Sequence, residues 1–358
     1  MVQVARSPSG PTLSRVGAYL LPGRTTDPLR AIAEARTAEH LGLGSAWIGE
    51  RLGTKDFGPL LGAVAQATSS IRLGSAVTNI GLRHPLLLAS AAMSLQAMTQ
   101  GRFILGLGRL HPSAARAYGL QTPNNQVVRD TASIVRRLCQ GETVSYDGPA
   151  GNFPKMRLTD LPELPAPPLV LAAIGPKSLD IAGQHYDGVV LHPFLTAAAV
   201  GRCALRVRTA AAAAGRDPQS VRVYATVVVA ADLTDQEETA VAAARAVTYF
   251  QIPGYGENLV DINGWSREPL AQLRADPVLA GLPGAADHRF TRHELLDTAR
   301  RCVPTEWTLT GAAIGTASHC SSRLREYLAE GADELILHGS TTELLGPVAQ
   351  HLAAAEQS

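Results

Sequence analysis

IAGQHYDGVVLH (181–192) carries the organisation on which the fold turns. A helix-like stretch ends, small or polar residues intervene, and a short apolar strand runs up to a polar residue. The same unit recurs in AEHLGLGSAWIGE (38–50) and LAEGADELILHG (328–339). Helical periodicity that gives way to a continuous apolar run marks βα units around a parallel sheet buried on both faces.

Working outward from these units, eight strands are predicted, at 16–21, 45–49, 71–79, 102–107, 168–173, 188–192, 222–229 and 334–338. Helices fall between them, for example at 27–42 and at 85–99, the latter opened by Pro85. Eight such units predict a closed α/β barrel, the (β/α)8 or TIM barrel, as a single domain over 1–358. An open doubly wound sheet is the structural alternative, because strand count alone does not establish closure. Residues 1–13 read as a loose arm.

Two intervals are too long for simple crossovers. Residues 109–167, after the fourth strand, hold a polar loop, a helix at 124–140, GETVSYDGPAGNFP and the Pro-rich LPELPAPP. Residues 234–333, after the seventh, hold several helices and the aromatic, Gly-rich TYFQIPGYGENLVDINGW. Both follow strand C-termini, the face on which barrel enzymes build their sites, so they are expected to be binding walls, with peripheral decoration as the alternative.

The bulk numbers exclude several classes. Lys+Arg of 32 against Asp+Glu of 31 leaves a charge of +1, which gives no electrostatic footprint for nucleic acid or an anionic membrane. No apolar run reaches the length of a membrane span, and the N-terminal residues lack a signal-peptide stretch. Cys139, Cys203, Cys302 and Cys320 are scattered with no C-x-x-C pair, as expected of free thiols in the cytoplasm.

The strand tips offer the chemistry. Glu50 follows the second strand, Asn79 ends the third, and Gly106, Gly108, Arg109 and His111 follow along the fourth. A carboxylate at such a tip is an acid/base candidate, so Glu50 and His111 are the candidate catalytic residues. The bland readings are a salt bridge from Glu50 to Arg51 or Arg83, and a capping or surface role for His111. After the fifth strand, Ala173, Gly175, Pro176, Lys177 and Ser178 combine small residues with a helix start whose N–H groups suit an anion. Read alone, that segment is equally just a helix start. GRFILGLGR (101–109) lacks the third glycine of a dinucleotide loop, since position 111 is His. His192 and His338 end the sixth and eighth strands without a carboxylate cluster at ligand spacing, so no metal is expected.

These segments resemble the luciferase-like monooxygenase superfamily, in particular its branch that uses the deazaflavin coenzyme F420. The matching pieces are LGLGSAWIGER (41–51), IRLGSAVTNIGLRHPLLLA (71–89), GRFILGLGR (101–109), GETVSYDG (141–148), PLVLAAIGPKSLDIAGQHYDGVVLH (168–192) and REYLAEGADELILHG (325–339). The resemblance implies a barrel with its cofactor at the strand C-termini and a non-proline cis peptide late in the third strand, here Ala76-Val77. It implies phosphate-side contacts at Ala173, Gly175, Pro176 and Lys177 with Arg109 near the mouth. Acid/base positions fall on Glu50 and His111. The sugar-phosphate branch carries an Asp-His pair after the second strand and a Glu after the fourth; this chain has Glu50-Arg51 and His111, which puts that role in doubt.

TYFQIPGYGENLVDINGW and PTEWTLTGAAIGTASHC look like segments of deazaflavin-using relatives, and Arg24, Arg51, Lys55 and Arg83 are placed to meet an acidic cofactor tail or to sit as scattered surface charges. The expected activity is hydride transfer between coenzyme F420 and a small organic substrate, in a homodimer. The alternatives are an FMN-dependent monooxygenase served by a separate reductase, and a non-catalytic ligand-binding barrel.

Overall fold

Strands β1 (Val16–Tyr19), β2 (Ser45–Ile48), β3 (Arg72–Ser75), β4 (Thr78–Ile80) and β5 (Phe103–Arg109) build the first half of a parallel sheet in a computed structural model that describes residues 12–51, 55–282 and 284–354. The hairpin β6 (Val144–Gly148) and β7 (Gly151–Met156) stands apart from it. Strands β8 (Leu169–Ala173), β9 (Gly188–Leu191), β10 (Arg222–Ala231) and β12 (Glu334–His338) complete the sheet, and β11 (Ala313–Gly315) extends β10 outward. Pairing of β1 with β12, of β12 with β10 and of β10 with β9 closes the ring. The barrel is therefore closed, with eight strand positions, as expected; the open sheet is excluded. Residues 1–11 of the expected arm lie outside the described residues, whereas Leu13 packs against the core.

The third position differs from the expected single strand 71–79. Its ladder with β5 runs to Gly74 opposite Ile104 and resumes at Thr78 opposite Leu107. Four residues on one side span three on the other, so one extra residue is taken up as a bulge. The Ala76-Val77 peptide within it is cis.

Inside the ring, side chains at alternate positions of each strand stack in layers. On β12, Glu334 lies at the foot, Ile336 in the middle and His338 at the mouth. On β2 the series is Ser45, Trp47 and then Gly49. Trp47, Ile104, Val170, Val190, Tyr224 and Ile336 form a buried plug. A Cβ on Gly74 would stand 2.3 Å from the Trp47 ring, which is why that position must be bare. The plug leaves no lumen, so a site can exist only at an end.

At the foot, the wholly buried Glu334 receives Arg72 at 2.9 Å and Arg222 at 3.5 Å, and accepts the Ser45 hydroxyl proton. Trp47 Nε1 donates to Ser45 Oγ at 2.6 Å. Sequence reasoning gave no sign of this cluster. Glu334→Ala removes the anion from two arginines that stay partly hydrated, so its expected cost is about 3 kcal/mol of stability, read from denaturant unfolding.

The first insertion holds the helix Asn125–Cys139, capped by Asn124 through the Val127 N–H, and the β6–β7 hairpin, formed by the stretch GETVSYDGPAGNFP, to which the sequence assigned no element. The second contributes short helices that bury Phe250, Leu259 and Trp307 on the continuous apolar core. Among the described residues no helix is long and apolar enough to cross a membrane. Among them, too, no group of three or more His, Cys, Asp or Glu stands ready to hold a metal ion.

Candidate active site

Every one of the eight strand positions sends residues to a cleft of about 630 Å³ at the C-terminal mouth. That volume is in the range of a cofactor-sized ligand. Its floor is made of small side chains and backbone: Gly49, Ala76, Val77, Gly108, Ala172 and Ala173. A Cβ on Gly108 would come within 2.4 Å of Val77 Cγ2, so a glycine there lets the fourth strand pass close under the bulge. The second insertion roofs the cleft with Tyr249, Pro253, Gly254, Tyr255 and Asn258, and the first contributes Thr122.

Of the residues singled out from sequence, Glu50, Ala76, Val77, Asn79, Gly108, Arg109, His111, Ala173, Gly175 and Ser178 line this cleft. Gly106 does not. It faces the interior one layer below, where an added Cβ would lie 1.9 Å from the Ser75 carbonyl oxygen. Pro176 and Lys177 are exposed at the start of the helix Pro176–His185 and are absent from the cleft wall. Gly175, the N-cap of that helix, has ordinary extended dihedrals. A Cβ there would meet nothing nearer than Asn258 Oδ1 at 3.9 Å.

Glu50 is heavily engaged. Its carboxylate pairs with Arg83 at 2.5 Å and accepts from Thr78 Oγ1 at 2.8 Å and the Asn79 N–H at 3.4 Å. Burial works to lower the Arg83 pKa, but the bonds to Glu50 and Asp56 outweigh it and raise the value. The salt bridge weighed for Glu50 thus exists, to Arg83, while Arg51 pairs with Asp287 instead. His111 is half-buried; burial lowers its pKa, against a hydrogen bond to the Pro253 carbonyl that raises it.

Two histidines that sequence reading weighed only as metal ligands stand in the same cleft. His192 Nδ1 lies 2.7 Å from the Pro193 carbonyl, an acceptor only, so Nδ1 carries the proton and Nε2 presents a lone pair. Its ring is edge-on to Tyr249 and Tyr255, with centroids at 4.5 and 4.9 Å. His338 has the opposite tautomer. Arg245 Nη1 can only donate, at 2.8 Å, so Nε2 of His338 accepts and Nδ1 bears the proton, with no partner in the protein. Burial pulls the His192 pKa down to about 4 and lowers that of His338 well below its ordinary value, aided there by Arg245, Arg292 and Lys55. Both rings are neutral at pH 7.

This arrangement has a stability signature. A histidine whose folded pKa is depressed stays unprotonated while the unfolded chain takes up a proton, so stability is complete above about pH 6.5 and is lost as pH falls toward 4. His192 alone is expected to remove about 2 kcal/mol over that window, discounted because its ring borders the open cleft. Thermal unfolding between pH 7.5 and 4.5 measures it; for His192→Gln the slope should flatten.

The family model described as luciferase-like monooxygenase matches residues 11–334. 5,10-Methylenetetrahydromethanopterin reductase of Methanolobus tindarius is 28% identical over 317 residues, covering 87% of this chain and 90% of that protein. F420-dependent hydroxymycolic acid dehydrogenase of Mycobacterium tuberculosis is 33% identical over 212 residues, 54% of this chain and 56% of the relative. Among solved structures, coenzyme F420-dependent tetrahydromethanopterin reductase from Methanopyrus kandleri superposes with a TM-score of 0.77 at 20% identity, covering 98% of this chain and 99% of that one. At that identity the likeness speaks for the fold.

Proposed function

Since the chain belongs to the luciferase-like monooxygenase family, we propose that its barrel mouth binds the deazaflavin coenzyme F420 and serves hydride transfer between it and a small organic substrate. Relatives named as F420-dependent support the choice of coenzyme. The observation that carries the reading is the cleft itself: a floor of small residues beside a wall bearing His192, whose Nδ1 is committed to the Pro193 carbonyl and whose Nε2 is left to accept.

The residues fit such a group. Ala76, Val77, Gly108, Ala172 and Ala173 would hold a planar ring, and Asn79 adds a polar side chain beside them. Gly175 and Ser178 bring the N–H end of the helix Pro176–His185 to the cleft, which suits a phosphate. When bound, a deazaflavin supplies a two-electron hydride carrier. Tyr249, Tyr255 and Pro253 cover the cleft and exclude water. His192 Nε2 is placed to take the proton of a substrate hydroxyl, or to return it to a carbonyl oxygen in the reverse direction. His338, whose Nδ1 is buried and unpartnered, lies beneath the surface of the same wall. Glu50 braces the bulge through Thr78, Asn79 and Arg83, and His111 offers a second titratable ring on the wall.

The test is a titration of the protein with coenzyme F420, followed by the coenzyme's fluorescence, in parallel with FMN. Saturable quenching by F420 is expected. Binding of neither removes the reading. Binding of FMN alone, with oxygen uptake on addition of reduced FMN, gives the site to the monooxygenase chemistry instead.

A further inference from the structure

A second cavity of about 260 Å³ lies behind the mouth, between the loop after β1 and the helices that follow β10. Arg24, Arg245 and Arg292 line it, with Glu237 and Asp287 as the carboxylates. Both carboxylates are committed elsewhere. Asp287 accepts from Arg51 at 2.7 Å, and Glu237 closes the capping box of the helix Asp235–Val241 with Thr234.

Arg245 is the anomaly. It is 6% exposed, its Nη1 is bonded to His338, and its Nε and Nη2 have no partner. Those two atoms share one edge of the guanidinium, the fork that receives both oxygens of a carboxylate or phosphate. Arginine does not escape burial by losing its proton, and a buried charge without a counter-ion costs several kcal/mol. The neighbouring cations deepen the deficit. Lys55, 3% exposed, donates to the carbonyls of Leu21 and Gly23, and Arg292 to those of Pro22 and Gly339. Carbonyls satisfy hydrogen bonds but bring no negative charge. Glu34, the other carboxylate bearing on Lys55, is taken up by the Leu21 N–H. Burial and the surrounding positive groups pull Lys55 down to about 8 and Arg292 to about 9.

The geometry points to an oxyanion subsite in this cavity, with the Arg245 fork as its donor pair and Arg292 and Arg24 as its charge partners. The occupant is the carboxylate or phosphate group of the substrate. Arg245 lines this cavity and is hydrogen-bonded to His338 on the cleft wall, so an anion held here bears on the mouth through that bond. That the anion belongs to the substrate rests on the function proposed above; the anion site itself does not.

Inorganic phosphate and acetate are titrated separately into the full chain by calorimetry and thermal unfolding, with chloride at matched ionic strength as control. A saturable response to phosphate, to acetate or to both is expected, and the stronger of the two identifies the headgroup. Arg245→Met should weaken it at least tenfold and Arg24→Ala less, with F420 affinity unchanged in both. Should Arg245→Met not fold, Arg245→Lys keeps the charge and removes the fork, and the same tenfold loss is expected. No response beyond chloride, or undiminished affinity in the Arg245 variants, overturns the site. A tenfold loss of F420 affinity in those variants overturns the substrate assignment, giving the anion to the coenzyme. Anion binding without F420 binding would sink the proposed function and leave the subsite standing.

Discussion

Phenylalanine in place of Gly175 is expected to lower coenzyme affinity at least 100-fold while leaving the barrel folded. The two halves of that expectation come from separate observations. Gly175 sits at φ −78° and ψ 157°, dihedrals open to any residue, and an added Cβ finds its nearest neighbour at 3.9 Å. The ring therefore enters without forcing the backbone, at a cost of about 1 kcal/mol for the altered helix cap. Its atoms would fill the end of the cleft where the helix N–H groups are exposed to a ligand. A hundredfold loss is about 2.7 kcal/mol, modest for excluding a group from its seat. Fluorescence titration reads the affinity and circular dichroism the fold. Unaltered affinity in a folded variant would show that the coenzyme, if any, lies elsewhere.

His192→Ala is the second large effect. Its Nε2 is the lone pair left in the cleft once Nδ1 is committed to the Pro193 carbonyl. General acid–base assistance contributes about 10²–10⁴-fold in rate, so kcat should fall by about 10²–10³ with coenzyme affinity changed less than threefold. The coenzyme's absorbance at saturating substrate follows turnover. Glu50→Gln gives the contrast: with its carboxylate tied to Arg83, Thr78 and Asn79, its loss should appear first as weaker binding and lower stability. A collapse of kcat in Glu50→Gln, with His192→Ala near wild type, reverses the two roles.

The ring was legible because strands buried on both faces read as continuous apolar runs, and GVVL (188–191) and ELILH (334–338) leave little else to read. The β6–β7 hairpin was not, since its short strands are largely exposed and carry Pro154 and the glycines of a turn. Strand tips disclosed Glu50, Asn79, Gly108 and His111. Counting in twos from the plug would have disclosed more: His192 follows Val190, Thr226 follows Tyr224 and His338 follows Ile336, each one layer nearer the mouth. The count fails at Gly106, which follows Ile104 by two yet does not reach the cleft, whereas Gly108, two further on, does. Lys177 stands outside the cleft because the second side chain of the helix turns outward. Tyr249, Tyr255 and Asn258 lie in TYFQIPGYGENLVDINGW, a stretch of the insertion expected to wall the site, though no local pattern tells which of its side chains face inward. Arg245, in the alanine-rich AVAAARAVTYF (240–250), reads as an ordinary helix-surface arginine. Its burial is a tertiary fact.

A cylinder clasped at one end by Glu334 and stoppered by Trp47 concentrates mutational cost there. The opposite rim is released from that duty. On the proposed function, a segment exchanged with a relative between residues 110 and 124 would alter what the cleft accepts while the clasp of Arg72, Arg222 and their shared anion stays intact. New substrates can thus be acquired at one end of this molecule without renegotiating the other.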